Sequence, residues 1–273
     1  MTLLVDVGNS AIKWAQLAAD GQLADVQRQV HRGVGNVASE LTERWHGSVP
    51  AGASVIACNV AGAELAAAVE KAARALALEP VLWLLAQPRF QWLGPGPFSL
   101  INGYRDPLQL GADRWHCMLG GCALVAPPMV VVNAGTATTV DCVDRDDSNS
   151  GEARFAGRFV GGFIAPGVRL MLESLAREAA GLPHATGAAS RFPDNTDAAI
   201  VSGVLDAQAG LVNQVWSRFA AHLAIHRAAA PRLIVTGGNA AVLLDRLSIE
   251  PAAIEHNLVL RGLALRAQFS LTA

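Results

Sequence analysis

Residues 3–10 read Leu-Leu-Val-Asp-Val-Gly-Asn-Ser. An unbroken apolar run ends at Asp6 and turns at Gly8, and residues 11–17 (AIKWAQL) begin a second apolar stretch at once. This pattern predicts a buried strand, a tight turn and a second strand, paired as a hairpin. It returns at residues 131–136, Val-Val-Asn-Ala-Gly-Thr, ahead of another apolar stretch at 137–143. Superposed, Asp6 meets Asn133 and Gly8 meets Gly135. The offset from 6 to 133 is 127 residues, close to half of the 273-residue chain. The reading is an internal duplication: an N-terminal half, 1–125, and a C-terminal half, 126–273, each opening with a strand–turn–strand unit.

Working outward, strands are expected at 25–31, 53–58, 81–85, 129–132 and 233–236. Helices are expected at 36–45, 61–77, 111–124, from 167 to about Ala180, over 196–228 as one or two, and at 256–268. A polar turn is expected at 144–151, with a strand returning over 153–160. Strands alternating with helices define an α/β protein. Two stretches read as irregular. Residues 87–110 hold Pro88, Gly94, Pro95, Gly96, Pro97, Gly103 and Pro107, and a loop this long in a compact domain is usually functional. Residues 161–167 (GGFIAPG) read as a glycine- and proline-rich loop before a helix.

Hydrophobic residues make up 52% and charged residues 16%, enough apolar material for a substantial core. Lys and Arg number 21 against 23 Asp and Glu. That balance offers no basic excess for nucleic acid or an anionic membrane. Cys58, Cys117, Cys122 and Cys142 form no CxxC pair and have no histidine cluster beside them; they read as buried, reduced thiols. The N-terminus shows no basic region or long apolar stretch of a signal peptide, and no run has the length of a membrane span. A cytoplasmic location is expected.

A glycine turn after a strand bares backbone N–H groups, and such a nest attracts phosphate oxygens. Two nests, one per half, could grip a polyphosphate across a cleft. Asp6 beside phosphates is repelled unless a cation intervenes, which implies Mg²⁺, held directly or through water. Lys13 supplies a positive charge; Ser10 and Thr136 supply hydroxyls. Ordinary hairpin turns with glycine at positive φ would leave the same trace in either half alone. The second constellation is Gly111-Ala112-Asp113-Arg114. Asp113 is a helix cap in one reading. In the other it is the general base for a substrate hydroxyl, with Arg114 clamping a carboxylate or phosphate oxygen. Tyr104, the only tyrosine, is a polar lid contact or a packed aromatic. There is no GxxxxGK[ST] loop and no protein-kinase HRD or DFG set. Gly237-Gly238-Asn239 is a weak nucleotide-contact signal that also fits a helix start.

Four motifs now stand in order: residues 6–13 (DVGNSAIK), 111–114 (GADR), 133–139 (NAGTATT) and 161–167 (GGFIAPG). Together they resemble the type III pantothenate kinases, including relatives described as Bvg accessory factors, over residues 3 to about 240. The resemblance implies an acetate and sugar kinase/Hsp70/actin fold, ribonuclease H-like, with two duplicated α/β domains, a cleft between them, and a homodimer. It implies ATP-dependent phosphorylation of pantothenate to 4′-phosphopantothenate, the first step of coenzyme A biosynthesis. By position, Asp6, Val7, Gly8, Asn9, Ser10, Ala11, Ile12, Lys13 and Thr136 resemble the ATP contacts, and Asp113 the proton acceptor. Tyr104, Gly111, Ala112, Asp113, Arg114 and Thr196 resemble the pantothenate contacts. Where many relatives carry an Asp that helps hold a monovalent cation, K⁺ or ammonium, this chain has Asn133. A neutral amide oxygen attracts a cation less than a carboxylate does. Two rivals remain at this level: a kinase of the same fold acting on a sugar or acetate, and an accessory or regulatory protein without turnover.

Overall fold

The computed structural model describes residues 1–31, 33–147, 154–226 and 229–272. In chain order these form β1 (Thr2–Val7), β2 (Ala11–Leu17), β3 (Leu23–Val30), α1 (Val37–Trp45), β4 (Ser54–Asn59), α2 (Ala63–Ala75), β5 (Leu82–Trp83), β6 (Arg89–Trp92) and β7 (Phe98–Asn102). A 3₁₀ turn at Pro107–Gln109 precedes α3 (Ala112–Leu124). Then follow β8 (Met129–Ala134), β9 (Ala137–Arg145), β10 (Phe155–Pro166), α4 (Val168–Glu178), α5 (Thr196–Ala224), β11 (Arg232–Thr236), α6 (Ala240–Leu244), β12 (Ala253–Ile254) and α7 (Leu258–Thr272). The polar turn expected at 144–151 lies outside the described residues from 148 on, as do 153 and 227–228 of the neighbouring elements.

The chain divides into two compact units. The first comprises Met1–Ala123, Asn149–Ala156 and Asn257–Ala273; the second comprises Leu124–Ser148 and Gly157–His256. The last helix, α7, therefore belongs with the N-terminal unit.

In the first unit the strand order is β3-β2-β1-β4-β5. β1 pairs antiparallel with β2 and parallel with β4. Strand side chains alternate between faces. Leu3, Val5 and Val7 of β1, with Ile12, Trp14, Val55 and Ala57, build a core with Val37, Leu41 and Trp45 of α1 and Leu65, Val69 and Ala72 of α2. The opposite face carries Leu4, Asp6, Ala15 and Ile56 and is packed by α7. α7 in turn crosses α3 at two glycines: a Cβ on Gly120 would strike the Leu258 carbonyl, and one on Gly262 the His116 carbonyl.

In the second unit the order β12-β11-β8-β9-β10 repeats β5-β4-β1-β2-β3 element for element. β8 is antiparallel to β9 and parallel to β11, as β1 is to β2 and β4. Its core joins Val130, Val132, Val140, Leu233 and Val235 to Val212, Val215, Phe219 and Leu223 of α5.

Two sequence expectations are corrected. Residues 87–110 are not irregular throughout: β6 and β7 form an antiparallel hairpin, with Phe90 opposite Leu100 and Trp92 opposite Phe98. The prolines and glycines sit at its ends and turn, while Phe90, Phe98 and Leu100 are buried. Residues 161–166 are not a loop either. β10 runs through them to Pro166, absorbing the glycines in a bulge between Phe159 and Gly161, where Gly161 takes a φ of 146°. The strand read at 81–85 shrinks to Leu82–Trp83.

Candidate active site

Asp6, Lys13 and Cys58 are register partners across β2-β1-β4, so their side chains leave the sheet on one face. The Cys58 thiol donates to Asp6 Oδ1 at 3.7 Å. Burial pushes the Asp6 carboxyl up to about 6; Lys13 pulls it down, the Asp113 charge pushes it up, and the Cys58 bond pulls it down. Asp6 and Asp113, 107 residues apart in sequence, are therefore close enough to repel each other. Burial raises the Cys58 thiol well above its usual range, reinforced by both carboxylates, so it stays a protonated donor.

The turn between β1 and β2 is held by its carbonyls. Gly8 N–H donates to Ala11 O at 3.1 Å, His31 N–H to Ser10 O at 3.1 Å, and His31 Nε2 bonds Gly8 O at 2.9 Å. Gly8 is not in the left-handed region; a Cβ there would lie 3.1 Å from Ala11 O. Close approach, not a special φ, is what glycine permits here. Val7 and Ile12 are fully buried in the core, so only their backbones could touch a ligand. Asn9 is exposed, and Ser10 and Lys13 are half-buried.

Gly111 precedes the first turn of α3 and receives Trp115 N–H at 3.0 Å. Asp113 folds back so that Oδ1 accepts Arg114 N–H at 2.8 Å. A Cβ on Gly111 would sit 2.7 Å from that Oδ1, which accounts for the glycine at this position. Burial raises the Asp113 carboxyl, while the Arg114 amide and guanidinium pull the other way. Ala112 is buried. Arg114 is also buried; its guanidinium donates to the Tyr104 hydroxyl at 2.9 Å and lies 5.6 Å from the ring centre. Asn102, at the end of β7, accepts Tyr104 N–H at 3.1 Å and donates to Pro107 O at 3.1 Å. The β6–β7 hairpin thus carries Tyr104 to Arg114. One turn down α3, the buried His116 bonds Ala112 O through Nδ1 at 2.7 Å. Burial holds its imidazole down to about 4, so it is uncharged near neutrality.

The second unit builds a matching turn from neutral groups. Gly135 N–H donates to Ala137 O at 3.0 Å, Gly167 N–H to Thr136 O at 2.9 Å, and Asn239 N–H to Ala134 O at 2.9 Å. Asn239 Nδ2 adds a bond to Gly135 O at 3.2 Å. Gly237 has a φ of 99°, and a Cβ there would collide with the Ala134 carbonyl. The motif at 161–167 and the triplet 237–239 both converge on the Gly135–Thr136 turn. Beneath them, Gln208 of α5 receives the Thr138 hydroxyl and donates to Pro166 O at 2.7 Å. Asn133 lies in register with Thr139 and Thr236, the counterparts of Lys13 and Cys58. Thr196 is exposed at the start of α5, after Asn195, whose side chain caps the helix through Ala198 N–H at 2.9 Å.

The structure therefore gathers Asp6, Lys13 and Asp113 in one unit, with Tyr104 on Arg114. In the other it gathers Asn133, Thr136, Gly167 and Asn239. His31 and Gln208 escaped the sequence reading, and Cys58 stood there only as a buried thiol. Only their long-range pairing marks them.

Two units with the same strand order, each bearing a polar turn after its first strand, define the acetate and sugar kinase/Hsp70/actin class of fold. A Baf family protein from Campylobacter jejuni shares it with a TM-score of 0.54 at 19% identity, covering 99% of this chain and 100% of that one. The profile of the family described as Type III pantothenate kinase matches residues 2–218. A type III pantothenate kinase of Aromatoleum aromaticum is 36% identical over 270 residues, 98% of each chain. One of Herminiimonas arsenicoxydans is 37% identical over 271 residues, 96% of each. The chain belongs to the type III pantothenate kinase family.

Proposed function

We propose that this enzyme transfers the γ-phosphoryl group of Mg²⁺-ATP to the primary hydroxyl of pantothenate, giving 4′-phosphopantothenate and ADP. The observation that carries the reading is the pair of half-buried carboxylates Asp6 and Asp113, the Asp113 charge raising the Asp6 carboxyl, beside a β1–β2 turn whose carbonyls are held by His31. Asp113 accepts the hydroxyl proton as the oxygen attacks phosphorus and the bond to the ADP oxygen breaks. Its raised basicity suits that task. Asp6 is the residue that would hold the Mg²⁺ brought by the nucleotide, directly or through water, and the ion would supply positive charge beside the phosphates. Among the described residues no cluster of three or more metal-ligating side chains occurs. Mg²⁺ neutralises charge on the transferring phosphate. Residues 6–13 and Thr136 contact the phosphates. Tyr104, Gly111–Arg114 and Thr196 contact pantothenate, whose carboxylate is a natural partner for Arg114.

The halves 1–125 and 126–273 supply one phosphate turn each. A monovalent cation, K⁺ or ammonium, would bind weakly at Asn133, which offers only an amide oxygen. A homodimer is supported by the exposed Val160, Phe163 and Ile164 of β10 and by Phe192, which is 84% exposed. A cytoplasmic location is supported by four cysteines that are all buried and outside any disulfide. Among the described residues no helix is long and apolar enough to cross a membrane.

The test is purified protein with Mg²⁺-ATP and pantothenate, with and without K⁺ or ammonium, assayed for phosphopantothenate. Folded protein that makes none under either condition would end the proposal.

A further inference from the structure

His31 follows β3 directly, and it is buried although most of β3 is exposed. It makes two bonds to a single turn: its amide donates to Ser10 O at 3.1 Å, and Nε2 bonds Gly8 O at 2.9 Å. A carbonyl oxygen only accepts, so Nε2 must carry the hydrogen. Among the described residues, the other ring nitrogen, Nδ1, is buried with no hydrogen-bond partner. A buried nitrogen left unpaired costs stability. The one hydrogen bond its ring makes among the described residues runs from Nε2 to the Gly8 carbonyl.

What it does follows from peptide geometry. A trans peptide plane points its C=O and the next N–H in opposite directions. Drawing the Gly8 and Ser10 carbonyls toward His31 turns the amides of Asn9 and Ala11 away from it. The turn then presents N–H groups on its far side, at the exposed Asn9. A free glycine turn could rotate either peptide and offer a carbonyl, which repels phosphate. We infer that His31 is a positioning residue of the nucleotide site: its ring locks the Gly8–Asn9 peptide with the amide outward, preorganised for a phosphate oxygen. This assignment rests on the reading of residues 6–13 as a phosphate turn.

Two variants test it. His31→Leu keeps bulk and removes the donor; His31→Gln places an amide N–H where Nε2 stood. Loss of one hydrogen bond's worth of ordering should raise the KM for ATP about fivefold in His31→Leu, with the KM for pantothenate unchanged. His31→Gln should recover most of that loss. A purely space-filling histidine predicts the reverse ranking. An unchanged ATP KM in the Leu variant, or a Gln variant as impaired as Leu, would overturn the assignment. The wild-type protein supplies an arm that needs no variant. Nitrogen-15 spectra of its histidines should show His31 as the Nε2–H tautomer, with its signal moved by Mg²⁺ and a non-hydrolysable ATP analogue. An Nδ1–H tautomer, or no response to the analogue, refutes it. Lack of any turnover by the wild-type enzyme would instead strike the proposed reaction, and the spectra would still decide the role of His31.

Discussion

Gly111→Ala is the sharpest test of the proposed base. The added Cβ would stand 2.7 Å from Asp113 Oδ1, whereas ordinary contact begins at 3.4 Å. The carboxylate must therefore retreat by about 0.7 Å, or the side chain must rotate and give up its 2.8 Å bond from Arg114 N–H. No backbone atom stands in the way, and Gly111 lies outside the left-handed region, so the fold has no reason to fail. A misplacement approaching 1 Å at a reacting group costs up to ~100-fold. The expected result is kcat down by roughly 30- to 100-fold, with the KM for ATP within about twofold because the phosphate turns are untouched. Steady-state kinetics beside a thermal melt would read both. If the melt is normal and kcat is also normal, Asp113 is not the proton acceptor, or its position does not matter.

Three further outcomes follow from the same geometry. Asp113→Asn should fold normally and lose turnover by roughly 10²- to 10⁴-fold; wild-type rates would remove the base assignment. Asp6→Asn should abolish Mg²⁺-ATP turnover yet stabilise the nucleotide-free protein near pH 8. The folded Asp6 carboxyl is raised to about 6, so stability is full below its unfolded value of 3.8 and is lost as pH rises through about 6. The Asn variant escapes that loss of ~2–3 kcal/mol, so its melting point should exceed wild type at pH 8 and converge with it at pH 4; a gain that persists at pH 4 would contradict the electrostatic cause. Gly262→Ala should destabilise by ~3 kcal/mol or more, since its Cβ meets the backbone carbonyl of His116; an unchanged denaturant midpoint would mean that α3 and α7 slide apart freely.

The legible parts of this fold were local. Apolar runs closed by Gly8 and Gly135 marked β1 and β8, and the apolar stretches that follow marked β2 and β9. The 127-residue offset between Asp6 and Asn133 exposed the duplication before the strand orders could be compared. Gly111–Arg114 announced itself as a polar cluster at a helix start. Pairings that span long stretches of chain left no trace. The Cys58–Asp6 bond joins residues 52 apart, and His31 reaches back 23 to Gly8. Composition misled where tertiary pairing overrode it. Prolines and glycines around β6 and β7 masked an alternation visible only once Phe90 faces Leu100. The glycines of residues 161–167 read as a loop because a bulge inside a strand uses the same residues. Nor did the sequence hint that α7 completes the N-terminal unit, where it covers the face that carries Asp6.

The two turns differ in charge, and the difference has a physical reason. Register places Lys13 and Cys58 beside Asp6, but Thr139 and Thr236 beside Asn133. A carboxylate next to a phosphate is tolerable only with a cation between them, and Asp6 already bears the repulsion of Asp113. Lys13 offsets a single negative charge. A second acid at position 133 would require a further cation beside any phosphate bound at that turn. Asn133 and the threonine hydroxyls offer hydrogen bonds without that requirement, beside a turn whose carbonyls accept from Gly167 and Asn239. The first turn carries charged groups and the second neutral ones; under the proposed function, dependence on a monovalent cation at Asn133 should be correspondingly weak.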